Sequence, residues 1–391
     1  MGLIMKIAES MSRLGTETAF EVLARARALE GEGRSIIHLE IGEPDFDTPA
    51  NIRDAAKKAL DDGHTHYGPS AGIPALREAI ATEIGRSRGI EVSPAQVVVV
   101  PGGKPIIFFS LLACVNPGEE VIYPNPGFPI YESVINWIGA KAVPLPMREA
   151  NSFGIDVSEL ETLISPRTSF LILNSPANPT GAVATGEQLA RIAELAIEHD
   201  FIVLADEIYS RIIYGGEHLS LLTFPGMAER LILLDGFSKI YAMTGWRLGY
   251  GVMPEKLAFW VGRLMTNSNS CTASFTQIAG IEALTGPQDE VRAMVAEFER
   301  RRDFIVSGLN KIDGFSCLQP EGAFYVFPNI TALGRTSKEL EIYFLEECGV
   351  AMLTGTSFGA LGEGYIRLSY ANSVENITEA LHRIKDGVAR L

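Results

Sequence analysis

Cysteine is scarce in this chain. Cys114, Cys271, Cys317 and Cys348 are its four cysteines; they stand far apart and form no C-x-x-C pair. That argues against a disulfide framework or a structural zinc site and fits a reducing compartment. Histidine is scarce too: the six show no H-E-x-x-H or other metal-ligand spacing, so no metal centre is expected. There is no basic run, and 33 basic against 48 acidic residues leave a net charge of −15. A nucleic-acid surface and adhesion to anionic membranes are both disfavoured. Long apolar runs are missing as well. The stretch from Pro105 to Gly118 falls short of the ~18 residues that would suggest a membrane span. Lys6 and Glu9 stand where a secretory signal needs apolar residues, so no signal peptide is read and the cytoplasm is the expected location. No internal repeat, low-complexity tract or long linker is found.

What is there reads as a well-cored globular protein, 47% hydrophobic and 21% charged over 391 residues, a length that suggests two domains. The middle alternates strand and helix signals. Strands are expected at Val97–Val100, Glu120–Tyr123, Lys141–Leu145, Ser169–Leu173, Phe201–Ala205, Leu231–Leu234 and Leu248–Val252. A buried helix is expected over Lys104–Val115, and a capping-box pattern at Thr185-Gly186-Glu187-Gln188 opens another. Such alternation predicts an α/β fold: a mostly parallel sheet covered on both faces, with ligands at the carboxyl ends of its strands. After about residue 285 the texture changes. A charged helix over Glu290–Asn310 is followed by short strands at Phe324–Phe327, Val350–Leu353 and Tyr365–Ser369, with helices at Ser337–Glu347 and Ser373–Arg390. These suggest a separate α+β domain. The first ~45 residues fit neither pattern.

Several polar residues stand at the ends of apolar runs. The segment Ser238-Lys239-Ile240-Tyr241-Ala242-Met243-Thr244-Gly245-Trp246-Arg247 follows Leu231–Leu234. A lysine at the mouth of a buried strand is costly unless it has a partner or a task, and a Schiff-base lysine is one such task. The plain alternative is a loop lysine that reaches solvent. Phe201–Ala205 runs straight into Asp206, with Tyr209 three positions on. A carboxylate there needs a cation or a metal, or else it caps a helix. In Asn174-Ser175-Pro176-Ala177-Asn178-Pro179-Thr180-Gly181, prolines and glycine fix the backbone, so Asn178 can be aimed, although an ordinary turn looks the same. Gly102-Gly103-Lys104 opens a helix after a strand, which suits a phosphate but lacks the nucleotide P-loop spacing. Lys104 is thus a rival for the reactive lysine or a phosphate neighbour. Arg367 sits inside Tyr365–Tyr370 and should have an anionic partner, from a carboxylate ligand or an internal salt bridge. Gly355-Thr356-Ser357-Phe358-Gly359 matches G-x-S-x-G, but the following residues do not read as the helix a serine hydrolase requires.

Six segments, four of them met above, occur in one order: Ile41-Gly42-Glu43-Pro44-Asp45-Phe46, Tyr67-Gly68-Pro69-Ser70-Ala71-Gly72, Asn178-Pro179-Thr180-Gly181, Asp206-Glu207-Ile208-Tyr209, Ser238-Lys239 with Arg247, and Ile366-Arg367-Leu368-Ser369. In that order the chain resembles the class I/II aminotransferases, pyridoxal-phosphate (PLP) enzymes of the aspartate aminotransferase fold, and the bacterial and archaeal subgroup is most similar. The resemblance spans nearly the whole chain. It implies a PLP-dependent transferase fold, with a large PLP-binding domain over 46–288 and a small domain from 1–45 plus 289–391.

The resemblance also implies roles. Lys239 would be the covalent anchor of PLP and the proton shuttle, and Asp206 would pair with the pyridine nitrogen. Asn178 and Tyr209 would hydrogen-bond the ring's phenolic oxygen, and Phe128 would stack on the ring. Arg247, Ser238 and the backbone at Gly103 and Lys104 would hold the phosphate. Tyr67 would reach the phosphate of a neighbouring subunit, implying a homodimer with shared sites. Arg367 would bind the substrate α-carboxylate together with Asn178, and Gly42 would let backbone approach that group. The implied activity is a ping-pong transfer of the amino group of an L-amino acid, whether aspartate, alanine or an aromatic or apolar donor, to a 2-oxo acid such as 2-oxoglutarate. A PLP-dependent carbon–sulfur lyase is the alternative on the same machinery. A PLP-sensing regulator is a remote one, lacking a DNA-binding module. Two departures stand out: Gly236 occupies a position where many relatives carry serine, and acidic Glu17 lies near where some aspartate-preferring relatives place a cation.

Overall fold

The computed structural model describes residues 5–391. Twelve strands form among them: β1 Ile37–His38, β2 Val97–Val100, β3 Glu120–Asn125, β4 Lys141–Pro146, β5 Thr168–Asn174, β6 Ile202–Asp206, β7 Leu231–Gly236, β8 Gly249–Val252, β9 Tyr325–Val326, β10 Val350–Ala351, β11 Leu353–Thr354 and β12 Ile366–Ser369. Seven build the main sheet, in the order β2-β8-β7-β6-β5-β3-β4. β3 to β7 are mutually parallel, and β8 runs against both β7 and β2. The expected α/β class and mostly parallel sheet are therefore present. β2, β3 and β7 are buried along their whole length, as their near-continuous apolar runs require of strands covered on both faces.

Register aligns the functional ends of the strands. Asn174 pairs with Asp206, and Asp206 with Leu234, so β5 and β6 end level while β7 runs on to Gly236. The expected helices form over Lys104–Cys114 and Gly186–Glu198, the second opened by the Thr185/Gln188 capping box. The run Val350–Leu353 does not form one strand. It divides into β10, parallel to β1, and β11, antiparallel to β12. The N-terminal part, which the sequence left unassigned, contains a helix over Ala19–Gly31 and β1, and β1 joins the C-terminal part of the chain through β10. Phe298, Phe324, Tyr325 and Tyr209 form a packed aromatic group, with Phe298–Phe324 and Phe324–Tyr325 centroids 5.1 and 4.8 Å apart. That group ties β9 to the end of β6. Among the described residues no helix is long and apolar enough to cross a membrane.

Candidate active site

A cavity of about 550 Å³ opens at the carboxyl ends of the parallel strands. Gly42, Gly103, Lys104, Phe128, Asn178, Asp206, Tyr209, Ser238, Lys239, Arg247 and Arg367 all line it. Residues from seven separate chain segments thus converge on one space. Tyr67 does not line it; its side chain is 90% exposed.

Asp206 ends β6. Its Oδ2 accepts from the Tyr131 hydroxyl at 2.6 Å and its Oδ1 from the Ile208 amide at 3.2 Å. No helix follows, so the capping alternative does not hold. Burial raises the carboxyl to about 6, against the lowering effect of Tyr131 and the Ile208 N–H. Neighbouring Glu207 behaves oppositely. Burial would raise it, but His218 and Arg88 overcome that and hold it at about 2. Arg88 reaches its Oε2 at 2.8 Å. Glu207 already has its cation, whereas Asp206 still lacks one.

Lys239 follows β7 and is buried in the cavity wall. Its ammonium donates to the Gly42 carbonyl at 2.5 Å. Burial, then the charge of Arg367, lowers it to about 8. An amine near that value is a usable nucleophile and base close to neutral pH. Lys104, the rival, turns elsewhere: its ammonium pairs with Glu17 and lies 5.6 Å from the Phe128 ring centroid. Glycine at position 42 also has a packing reason. A Cβ there would come within 2.1 Å of the Tyr325 hydroxyl. That hydroxyl shares a 2.7 Å hydrogen bond with the Tyr209 hydroxyl, whose titration is pushed well above the phenolic range by burial and by Tyr325.

Arg367, on β12, is 4% exposed. Among the described residues no carboxylate pairs with it. It donates to the Asn178 side-chain oxygen at 3.1 Å and to the Glu40 carbonyl, and it stacks on Tyr325 and Phe358 at 4.5 and 4.8 Å. Its Nε has no partner. A buried guanidinium held in this way keeps donors for an incoming carboxylate. Asn178 is set by Asn174, whose side chain accepts the Asn178 amide at 2.9 Å and donates to the Asp206 carbonyl at 3.0 Å.

The remaining wall is a cradle for an anion. The helix Lys104–Cys114 begins at Gly103 with no side-chain cap, leaving amide donors at its positive end. Arg247, at φ +54°, donates to the Thr244 carbonyl at 2.8 Å and lies over Gly102, where a Cβ would come within 2.0 Å of its Nη2. Ser238 completes this side. Gly236 lies within β7, and a Cβ there would come within 3.0 Å of the Gly249 Cα. A serine at that position would crowd the facing strand. Two cavity residues escaped the sequence reading, Tyr131 and Tyr325. Both are buried rings that read in the sequence as ordinary core aromatics. Ser357 of the G-x-S-x-G match is tied to Thr18 at 2.5 Å, and only short 3₁₀ turns surround it.

These features fit pyridoxal phosphate. A phosphate matches the uncapped helix end with Arg247 and Ser238, a protonated ring nitrogen matches the unpaired Asp206, and an aldehyde matches Lys239. The comparisons agree. The family "Aminotransferase class I and II" matches residues 34–384, and the chain belongs to that family of PLP-dependent aminotransferases. It is 42% identical to an aspartate aminotransferase of Pyrococcus abyssi, over 90% of this chain and 91% of the other. It is 39% identical to aromatic-amino-acid aminotransferase 2 of Thermococcus litoralis, over 97% and 98% of the two chains. A solved alanine aminotransferase from Pyrococcus furiosus superimposes with a TM-score of 0.94 at 32% identity, covering 99% of this chain and 100% of that one.

Proposed function

We propose that this enzyme moves the amino group of an L-amino acid to a 2-oxo acid, with 2-oxoglutarate as acceptor. The observation that carries this reading is a buried, depressed lysine and a buried, unpaired arginine on one cavity, with a buried carboxylate opposite the anion cradle. When bound, PLP supplies an electron sink for the pair of electrons left by a departing α-proton. In this reading Asp206 holds the proton on the ring nitrogen, and Tyr131 keeps the carboxylate oriented. Lys239, as a free amine, takes and returns the α-proton. Arg367 orients the amino acid by its α-carboxylate, and Asn178 and Tyr209 hydrogen-bond the ring edge. Phe128 covers the ring face. Gly103, the Lys104 backbone, Ser238 and Arg247 hold the phosphate.

The exposed Tyr67 supports a homodimer in which each subunit completes its partner's phosphate site, and the absence of a basic run and of paired cysteines supports a cytoplasmic enzyme. The pairing of β1 with β10 supports a small domain made of 1–45 plus 289–391 beside a PLP domain over 46–288. Borohydride reduction of the holoenzyme followed by peptide mapping should find PLP on Lys239. A label on Lys104 would overturn the assignment. Amino acids added singly should convert the bound cofactor to its amine form, and turnover should require a 2-oxo acid. Release of ammonia and pyruvate from cysteine conjugates with no oxo acid present would point instead to a lyase.

A further inference from the structure

Three tyrosines among the described residues line the cavity: Tyr131, Tyr209 and Tyr325. In the reading above Tyr131 serves Asp206 and Tyr209 serves the ring oxygen, which leaves Tyr325 without a role. It sits on β9, facing Ser369 of β12, two residues beyond Arg367. Its ring is 1% exposed and is held on several sides. Phe324 packs at 4.8 Å, the Arg367 guanidinium at 4.5 Å and the Tyr209 ring edge-on at 5.8 Å. A phenolic oxygen moves only with its ring, so this one stays beside the Tyr209 hydroxyl, 2.7 Å away. Glycine at position 42 leaves it the room.

Among the described residues that hydrogen bond is the only one either hydroxyl makes, and its geometry lets either oxygen donate. Two hydroxyls hold two hydrogens, and the bond between them uses one. If Tyr209 donates to Tyr325, it has no hydrogen left for a ring oxygen. If Tyr325 donates, the Tyr209 hydrogen is free. Arg367 favours the second arrangement. Burial raises the Tyr325 hydroxyl, and the Arg367 charge over its ring opposes that rise. A hydroxyl polarised by a nearby cation is the stronger donor.

We propose that Tyr325 is a positioning residue for the transfer: it donates to the Tyr209 oxygen and so commits the Tyr209 hydrogen to the phenolic oxygen of PLP. This rests on the PLP reading of the cavity and deepens it. In a chain of donors each bond strengthens the next, so Tyr325 draws negative charge off the ring oxygen through Tyr209. A less basic ring oxygen holds the proton of the adjoining Lys239–PLP linkage less firmly, and the linkage sheds it at lower pH.

The test is a pH titration of the holoenzyme, following the absorbance change as that linkage loses its proton. Tyr325→Phe should raise the midpoint by about half to one pH unit, the range of one hydrogen bond. Tyr209→Phe should raise it by at least as much. Tyr209→Phe/Tyr325→Phe should match Tyr209→Phe alone, because Tyr325 acts only through Tyr209. Binding to the apoprotein gives a second readout. Tyr325→Phe should weaken PLP by about three- to ten-fold, yet leave the affinity for 3-deoxypyridoxal phosphate, which lacks the ring oxygen, unchanged. An unmoved midpoint in Tyr325→Phe beside a raised one in Tyr209→Phe overturns the proposal and leaves the PLP reading standing. Additive shifts in the double variant, or equal losses for the two ligands, overturn it as well, since Tyr325 would then act without Tyr209. An unmoved midpoint in Tyr209→Phe means that Tyr209 does not meet the ring oxygen, and that placement and the proposal fall together.

Discussion

Replacing Asp206 by asparagine should stabilise the cofactor-free protein. Burial raises this carboxyl from its ordinary 3.8 to about 6. Below 3.8 the group is protonated whether the chain is folded or not. Between 3.8 and about 6 the folded chain holds a proton that the unfolded chain has released. Stability therefore falls as pH rises through that window and stays lower above it. At 1.36 kcal/mol per pH unit, the loss is about 3 kcal/mol. Asparagine keeps the local hydrogen bonds. Its oxygen can take the Ile208 amide, and its amide can donate to the Tyr131 hydroxyl, which lies 2.6 Å from the present carboxylate. Urea denaturation of the apoprotein at pH 8 should show Asp206→Asn more stable than wild type by that order. The gap should close as pH falls toward 4. The same variant should bind PLP more weakly, by about ten- to a hundred-fold, for want of a charged partner. If the variant is no more stable at pH 8, or if the gap does not shrink in acid, Asp206 is not an unpaired buried charge.

Gly42→Ala should destabilise the protein by about 1–3 kcal/mol, as overpacking does, because the new methyl meets the Tyr325 hydroxyl at 2.1 Å. Tyr325→Phe in the same chain should recover part of that loss in thermal denaturation, and additive effects would mean the two positions do not clash. Arg367→Ala should raise KM for aromatic, apolar and acidic donors alike, by about a hundred-fold. A loss confined to acidic donors in steady-state kinetics would mean that Arg367 reads the side chain.

Three of the positions legible in the sequence share one property: each puts a polar residue where, or shortly after, an apolar run ends. Asp206 after Phe201–Ala205, Lys239 after Leu231–Leu234 and Asn178 after Ser169–Leu173 all follow it, and the carboxyl ends of parallel strands meet in space. Tyrosine gives no such signal. Tyr131 and Tyr325 are fully buried rings with a single working hydroxyl each, and in a sequence they look like any other core aromatic. The Glu17–Lys104 pair joins residues 87 positions apart, one of them in a segment with no periodic pattern. The Val350–Leu353 run failed for a related reason. Apolar content says that a strand is buried but does not name its neighbour, and here the neighbour changes from β1 to β12 within five residues.

The charges around the cavity also explain why the protein tolerates so costly a site. Asp206 is pushed up, Lys239 is pushed down, and Arg367 keeps a buried Nε without a partner. Each departure has the direction expected of a group whose counter-charge is missing. None of the three is relieved by another: Lys239 gives Asp206 only a minor lowering, and Arg367 makes the Lys239 ammonium less favourable. Glu207, one residue from Asp206, shows that the fold can satisfy a buried carboxylate, with Arg88 and Ser220 both in contact. Asp235 on β7, outside the cavity, is likewise raised to about 6 by burial, so such strain is not confined to the groups that face the cavity. In the proposed reading a protonated ring nitrogen would relieve Asp206, and an α-carboxylate would relieve Arg367. Binding energy released in this way would fall on the atoms that must be oriented for proton transfer, which is where catalysis can use it.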